Sequence, residues 1–207
     1  MRLGVSFTGA DPAGLSAKRL AEDARTVEEA GFDSLWFFDA IGRGAILPDP
    51  LIAIAVAAGA TQRIELGTCI LQVPLRHAAE LALRALTTQL ATDNRFAFGV
   101  GAGSTKTDFD LLGLDYDARM QTFDEGLRTM QTLWRGEAVN GVLLEPWPAT
   151  QGGPPLLIGS WSGKQWIPRA ARDFDGWIAS GAKSSFNALV SGIETYRANG
   201  GDRAIVT

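Results

Sequence analysis

Residues 159–163, Gly159-Ser160-Trp161-Ser162-Gly163, carry the clearest chemical signal in this chain of 207 residues. Two glycines allow unusual backbone angles, two serines offer hydroxyls, and a helical stretch follows, which together suit an anion at a helix N-terminus. The other reading is an ordinary Gly/Ser turn with Ser162 as the helix cap. Asp39 stands alone after Trp36-Phe37-Phe38 and can accept a ligand hydrogen bond, take a proton, or simply cap a helix. Cys69 lies in an apolar run and reads as a small buried hydrophobe, so it is given no nucleophilic role. His77 opens a helix and reads as a cap or surface residue. Asp108 and Arg119 flank a Gly/Ser/Thr loop, either to meet a ligand or to pair with each other at the surface.

Other chemistries lack their parts. There is no Gly-x-Ser-x-Gly elbow, no P-loop and no pair of histidine ligands. One Cys and one His exclude an intrachain disulfide and a metal cluster of Cys/His type, so no metal is expected. With no good protein base in view, the pattern points to a cofactor that carries the reaction.

The elements that position these residues follow a rhythm: a short apolar run, then an amphipathic helix, about seven times. The runs are Leu3–Phe7, Ser34–Phe38, Ile64–Ile70, Arg95–Val100, Pro155–Ile158, Gly176–Ala179 and Ala204–Val206. Several are apolar almost throughout, as strands buried on both faces must be. Helices are expected at 15–30, 50–61, 77–92, 115–135, 164–173 and 185–199. Asp49-Pro50 is a strong start signal, and Met120, Phe123, Leu127, Met130 and Trp134 make a core-facing stripe. Residues 137–153 read as an insertion with a short hairpin at 139–144, inside one domain spanning 1–207. The fold expected is a TIM (β/α) barrel, with a doubly wound open sheet as the alternative. The seven runs leave it short of an eighth β/α unit. A truncated product, a partner chain covering the gap, and closure with seven strands are the three ways to read that shortfall.

In a barrel, chemistry sits at the C-terminal strand ends. Those ends hold Phe7, Asp39, Cys69 to Gln72, the loop 101–105 with Gly103 and Ser104, the loop 159–163, and Ser180-Gly181. Small residues at several successive ends leave room for a large flat ligand. A net charge of −4 argues against a nucleic-acid or anionic-membrane surface. The longest apolar stretch, Leu51 to Ala60, is too short to span a bilayer, and Met1-Arg2 leads directly into a strand, so a soluble cytoplasmic protein is expected.

The motifs together resemble the bacterial-luciferase-like superfamily of flavin- and deazaflavin (F420)-dependent oxidoreductases. The resemblance rests on residues 28–36 (Glu-Glu-Ala-Gly-Phe-Asp-Ser-Leu-Trp), Leu66-Gly67-Thr68-Cys69-Ile70 with Pro74-Leu75-Arg76-His77, and Asn94-Arg95-Phe96 with residues 99–103. Pro155 to Ser160 and Asp175-Gly176-Trp177 complete it. It implies a TIM barrel, F420 or FMN as cofactor, a small organic substrate and a homodimer. It implies a non-proline cis peptide at Cys69–Ile70 behind the cofactor ring, and it makes 159–163 the phosphate loop. The ring pocket would then be built from Cys69, Ile70, Gln72, Gly103 and Ser104, with Trp161 beside the phosphate and Phe7, Asp108 and Ser180 toward the substrate. The Gly-Thr-Cys-Ile pattern tilts toward F420.

Two positions depart from the family pattern. Ala40 stands where many members have a catalytic His, and Asp108 is the nearest match to a loop Glu. Asp39 is therefore the one acid nominated for proton work. The expected function is hydride transfer with F420 or monooxygenation with FMN. The alternative is a flavin-binding protein or barrel remnant without catalysis.

Overall fold

Short apolar runs become strands because each buries both faces, and the computed structural model, which describes residues 1–7, 16–44, 46–161 and 165–207, pairs them all in parallel. The strands are β1 (Gly4–Phe7), β2 (Ser34–Phe37), β3 (Glu65–Thr68), β4 (Leu71–Gln72), β5 (Phe96–Gly101), β6 (Leu156–Gly159), β7 (Gly176–Ala179) and β8 (Ala204–Val206). Their order in the sheet is β1-β2-β3-β5-β6-β7-β8, with β4 also paired to β5. The third apolar run is thus two strands in line. β3 pairs with Phe96 and Ala97 of β5, and β4 pairs with Val100 and Gly101 of the same strand. Between them lies the cis peptide Cys69–Ile70, at the bond the family resemblance indicates.

The helices are α1 (Ala17–Glu29), α2 (Pro50–Ala60), α3 (Ala78–Ala91), α4 (Lys106–Leu112), α5 (Arg119–Trp134), α6 (Trp166–Asp173) and α7 (Phe186–Ala198). Their starts follow local chemistry. Asp49 accepts from the N–H groups of Leu51 (2.9 Å) and Ile52 (3.2 Å) ahead of Pro50. Ser16 and Ser185 cap α1 and α7 in the same way.

Two boundaries differ from expectation. α4 was not anticipated, being only 7 residues long with too few turns to show a period; Gly113, at φ 66°, closes it. The helix expected from residue 115 begins at Arg119, because Asp115 Oδ1 accepts from the Asp117 N–H (2.8 Å) and holds a turn there. The expected hairpin is a tight turn with one antiparallel bridge, Val139 to Val142.

Alternate strand residues face opposite ways, so two apolar layers form. Leu35, Phe37, Leu66, Phe96, Phe98, Leu156 and Ile158 pack outward against Ile54, Leu81, Phe123, Leu127, Met130 and other helix residues. Trp36, Cys69, Ala97, Leu157 and Ile178 fill the inside. The inner layer relies on missing side chains. A Cβ on Gly67 would stand 2.2 Å from the Trp36 ring, and one on Gly99 would stand 2.4 Å from Ile178 Cδ1.

An ion cluster shows that the sheet is rolled. Arg203, just before β8, pairs with Glu65 at the start of β3, and Arg2 reaches the same carboxylate at 3.2 Å. In a flat sheet, four strand spacings would separate β3 from β8 by roughly 19 Å, beyond the reach of an arginine and a glutamate together. The sheet therefore curls into a half-barrel, which excludes the open doubly wound alternative.

The Trp36–Gly67 contact yields a stability test. Gly67→Ala should destabilise the fold by about 1–3 kcal/mol in urea denaturation, as overpacking does. In a Trp36→Phe background the added cost should be smaller, because the clashing part of the ring is gone.

Candidate functional site

The C-terminal strand ends converge on one cleft of about 770 Å³. Phe38, Asp39 and Ala40 follow β2; Cys69 and Ile70 lie between β3 and β4, with Gln72 at the end of β4; Gly101 to Ser104 come from the end of β5 and the loop after it. Gly159, Ser160 and Trp161 end β6, and Ile178 and Ser180 come from β7. The wall continues through Tyr116, Arg119, Met120 and Phe123, with Trp166, Arg43 and Lys183 also lining it. Most of the residues singled out in the sequence thus meet here: Asp39, Cys69, Ile70, Gln72, Gly103, Ser104, Gly159, Ser160, Trp161 and Ser180. Ser162 and Gly163 lie outside the described residues.

The floor is shaped around Ile70. A Cβ on Gly159 would come within 2.5 Å of Ile70 Cγ2, and one on Gly101 within 2.9 Å of its Cδ1. Only glycines let the β5 and β6 ends close against that side chain. The β6 end is pinned from behind: Ser160 N–H donates to Ile178 O (3.0 Å), and Trp177 Nε1 donates to Ser160 O (2.8 Å). Cys69 is buried, and desolvation pushes its thiol up to about 12, partly opposed by a hydrogen bond with Ser6. A thiol with that pKa is not a nucleophile near neutral pH.

Two expected pocket residues sit elsewhere. Phe7 is absent from the lining; its ring packs on Phe37 with centroids 5.5 Å apart, in the layer under the helices. Asp108 is fully buried behind the cleft and accepts from the Gly42 N–H (2.8 Å), Arg43 (3.1 Å) and Gln72 Nε2 (2.9 Å). Burial alone would raise its pKa, but hydrogen bonds from Gln72, Arg43 and Gly42 outweigh that and hold it below the usual carboxylate value. Asp108 therefore anchors the wall from behind and is not part of the cleft lining. Arg119 does not pair with it; its guanidinium stacks 3.9 Å from the Tyr116 ring centroid and donates to Tyr116 O.

Asp39 lines the cleft, yet its carboxylate is committed. Arg76 grips both oxygens (2.6 and 2.9 Å), and the Gln72 N–H donates to Oδ2 (2.8 Å). Burial by itself would lower the Arg76 pKa, but Asp39 raises it, with Asp49 and Glu80 adding to the effect. Three donors thus fall on the Asp39 carboxylate, two on Oδ2 and one on Oδ1. Gln72 joins the two carboxylates: its Nε2 donates to Asp39 O (3.1 Å) as well as to Asp108. Its Oε1 is buried without a hydrogen-bond partner among the described residues. Met120, read as core, is 40% exposed and faces the cleft, whereas Phe123, Leu127, Met130 and Trp134 are buried as expected. His77 holds the N-cap position of α3, exposed and outside the lining.

Sequence reasoning missed Arg43, Tyr116, Trp166 and Lys183 as wall residues, and Arg76 as the partner of Asp39. Only Arg76 left a signal, because it belongs to the Pro74-Leu75-Arg76-His77 motif. Among the described residues no cluster of His, Cys, Asp and Glu could hold a metal ion. No helix there is long and apolar enough to cross a membrane.

A parallel β/α barrel with a large, aromatic cleft over its strand ends is the architecture of barrel enzymes, whose sites occupy that face. Residues 1–205 match the luciferase-like monooxygenase family, and the chain belongs to it. It is 37% identical over 131 residues to 4-hydroxyprotoasukamycin monooxygenase of Streptomyces nodosus subsp. asukaensis, covering 62% of this chain and 35% of that protein. It is 34% identical over 120 residues to F420-dependent glucose-6-phosphate dehydrogenase of Beutenbergia cavernae, covering 54% of this chain and 35% of that protein. Among solved structures, monooxygenase RslO1 from Streptomyces bottropensis superposes with a TM-score of 0.83 at 22% identity, over 97% of this chain and 66% of that one. The oxygenating constituent of 3,6-diketocamphane monooxygenase from Pseudomonas putida, in complex with FMN, gives 0.79 at 19% identity, over 97% and 62%. The match spans about a third of the length of these curated relatives.

The buried carboxylate gives a pH test. The folded-state pKa of Asp108 is depressed, so its stabilisation is fully present above the unfolded value of about 3.9 and is lost as pH falls through the lower folded value. Asp108→Asn should cost about 1–3 kcal/mol at pH 7 by thermal or urea denaturation. The gap between variant and wild type should narrow steadily below about pH 4.

Proposed function

We propose that this chain is the cofactor-binding barrel of a luciferase-like oxidoreductase that holds FMN or F420 over its strand ends and acts on a small organic substrate. The observation that carries the reading is the convergence of the strand ends from β2 to β8 on one cleft floored by Cys69 and Ile70. The residues present fit such a group. The volume suits a ring system with a side chain. The glycines at 101 and 159 let two strand ends close on Ile70, which gives the floor an apolar surface for a ring. Phe38, Tyr116, Trp161 and Trp166 offer aromatic walls.

Ser160 and the neighbouring backbone would hold the phosphate, with Arg119 from the β5 side and Lys183 from the β7 side. Cys69, Ile70, Gln72, Gly103 and Ser104 would frame the ring. The bound cofactor would supply the electron or hydride transfer, or the activation of oxygen. The protein's part is to orient the two reactants and exclude water. Asp39 is proposed as a positioning residue that keeps Arg76 and Gln72 in place. Proton transfer is not assigned to it, because both its oxygens are bonded.

Titration of the folded chain with FMN and with F420, followed by cofactor fluorescence, tests the reading. Saturable binding of one of them is expected, and Ser160→Ala should weaken FMN about 3–10-fold while leaving riboflavin, which has no phosphate, unchanged. A folded sample that binds neither cofactor would turn the reading toward a barrel remnant.

A second copy of the chain is proposed as the cover for α2. This helix, Pro-Leu-Ile-Ala-Ile-Ala-Val-Ala-Ala-Gly-Ala, has no polar side chain on any face, and Ile52 on it is 67% exposed. α3 beside it exposes Leu83 and Leu90. Helices that are apolar all round are normally buried. Sedimentation should therefore show a homodimer that Ile52→Lys dissociates; a wild-type monomer would remove the proposal. A cytoplasmic setting, with no nucleic-acid or membrane partner, completes the proposed picture.

A further inference from the structure

The chain carries a net charge of −4, yet its cleft wall is cationic. Among the described residues, Arg43, Arg119 and Lys183 line it, against one acidic side chain, Asp39, which Arg76 neutralises from behind. Arg119 stacks on Tyr116 and donates to its carbonyl, and its remaining donors are the ones proposed for the cofactor phosphate. Arg43 is different. One N–H bonds Asp108 Oδ2 at 3.1 Å, and that carboxylate is itself immobilised by Gly42 and Gln72. Among the described residues no other acceptor meets the Arg43 guanidinium, whose side chain is 48% exposed. A guanidinium has five N–H donors in a rigid fork. Arg43 is thus a clamped arginine with most of its donors turned to solvent at the cleft.

Its anchor differs from that of the proposed phosphate loop. Arg43 follows β2 and is held at Asp108 of α4, whereas the loop at 159–161 follows β6. Arg119 and Lys183 lie on the two sides of β6. The cleft, walled by Phe38, Tyr116, Phe123 and Trp166, therefore offers a second anion-recognising group with its own anchor.

We propose that Arg43 determines substrate specificity: the substrate is an apolar, preferably aromatic, organic anion whose carboxylate or phosphate takes the open fork of Arg43. Asp108 balances one unit of charge, so the preset donors carry the recognition more than net charge does. This inference rests on the reading of the cleft as the substrate site.

Isothermal titration of the whole chain with 2-naphthoate and with neutral 2-naphthamide tests it, with and without FMN. Wild type should prefer naphthoate by roughly tenfold. Arg43→Gln should erase that preference while leaving naphthamide and FMN affinities within about twofold, and Arg43→Lys should retain part of it. Failure of wild type to bind either probe, an equal affinity for both, or a preference that survives Arg43→Gln would overturn the proposal. A loss of FMN affinity in Arg43→Gln, with riboflavin unaffected, would assign Arg43 to the cofactor phosphate and overturn it too. If neither FMN nor F420 binds at all, the cofactor reading fails, yet the naphthoate preference still decides the role of Arg43.

Discussion

The amide of Gln72 is the joint on which the cleft depends. Its nitrogen is held between the backbone carbonyl of Asp39 and the carboxylate of Asp108, while its own backbone N–H feeds the Asp39 carboxylate. Three strand-end segments, after β2, around β4 and after β5, are fixed to one another by that side chain. Its orientation has no alternative, because reversing the amide would press its oxygen against two acceptors. In that orientation Oε1 is buried without a hydrogen-bond partner among the described residues. The result is a wall whose outer residues, Asp39 and Arg43, are set before any ligand arrives.

Most strands and helices were readable because the information is local. Gly176–Ala179 and Ala204–Val206 lie where the apolar runs put them, and Asp49-Pro50 starts α2 as its chemistry requires. The cleft residues at strand ends were readable for a related reason: in a parallel barrel one rule selects the same position in every unit. The misreadings share a cause. Gly42 and Asp108 bond across 66 residues of sequence, and Asp39 and Arg76 across 37. No periodicity reports such pairs, so an acid that looks available in the sequence is found occupied in the fold. Phe7 fails differently: in register with Phe37 it takes the outward face, while Ser6 takes the inward one beside Trp36.

Shape is set as much by absent side chains as by those present. Trp36 and Ile178 fill the barrel interior only because residues 67 and 99 lack a Cβ. Ile70 reaches the floor only because residues 101 and 159 do. These four glycines stand on three neighbouring strands, so the glycine that weakens a strand elsewhere is here the condition for packing it. The inner apolar layer and the cleft floor are consecutive levels of the same arrangement, the first filled with protein and the second left open.

The protein groups around that opening also limit what it can do unaided. The single histidine sits at the start of α3, outside the lining. The buried thiol stays protonated, Asp108 is shielded behind the wall, and Asp39 is gripped by Arg76. Acid–base catalysis needs a group that is free and within reach of the substrate, and each of these four is buried, bonded or off the lining. What the cleft provides instead is enclosure, aromatic faces and fixed donors. Such a site can orient and desolvate a reaction but not supply its electrons, which is the division of labour expected where a bound cofactor performs the chemistry.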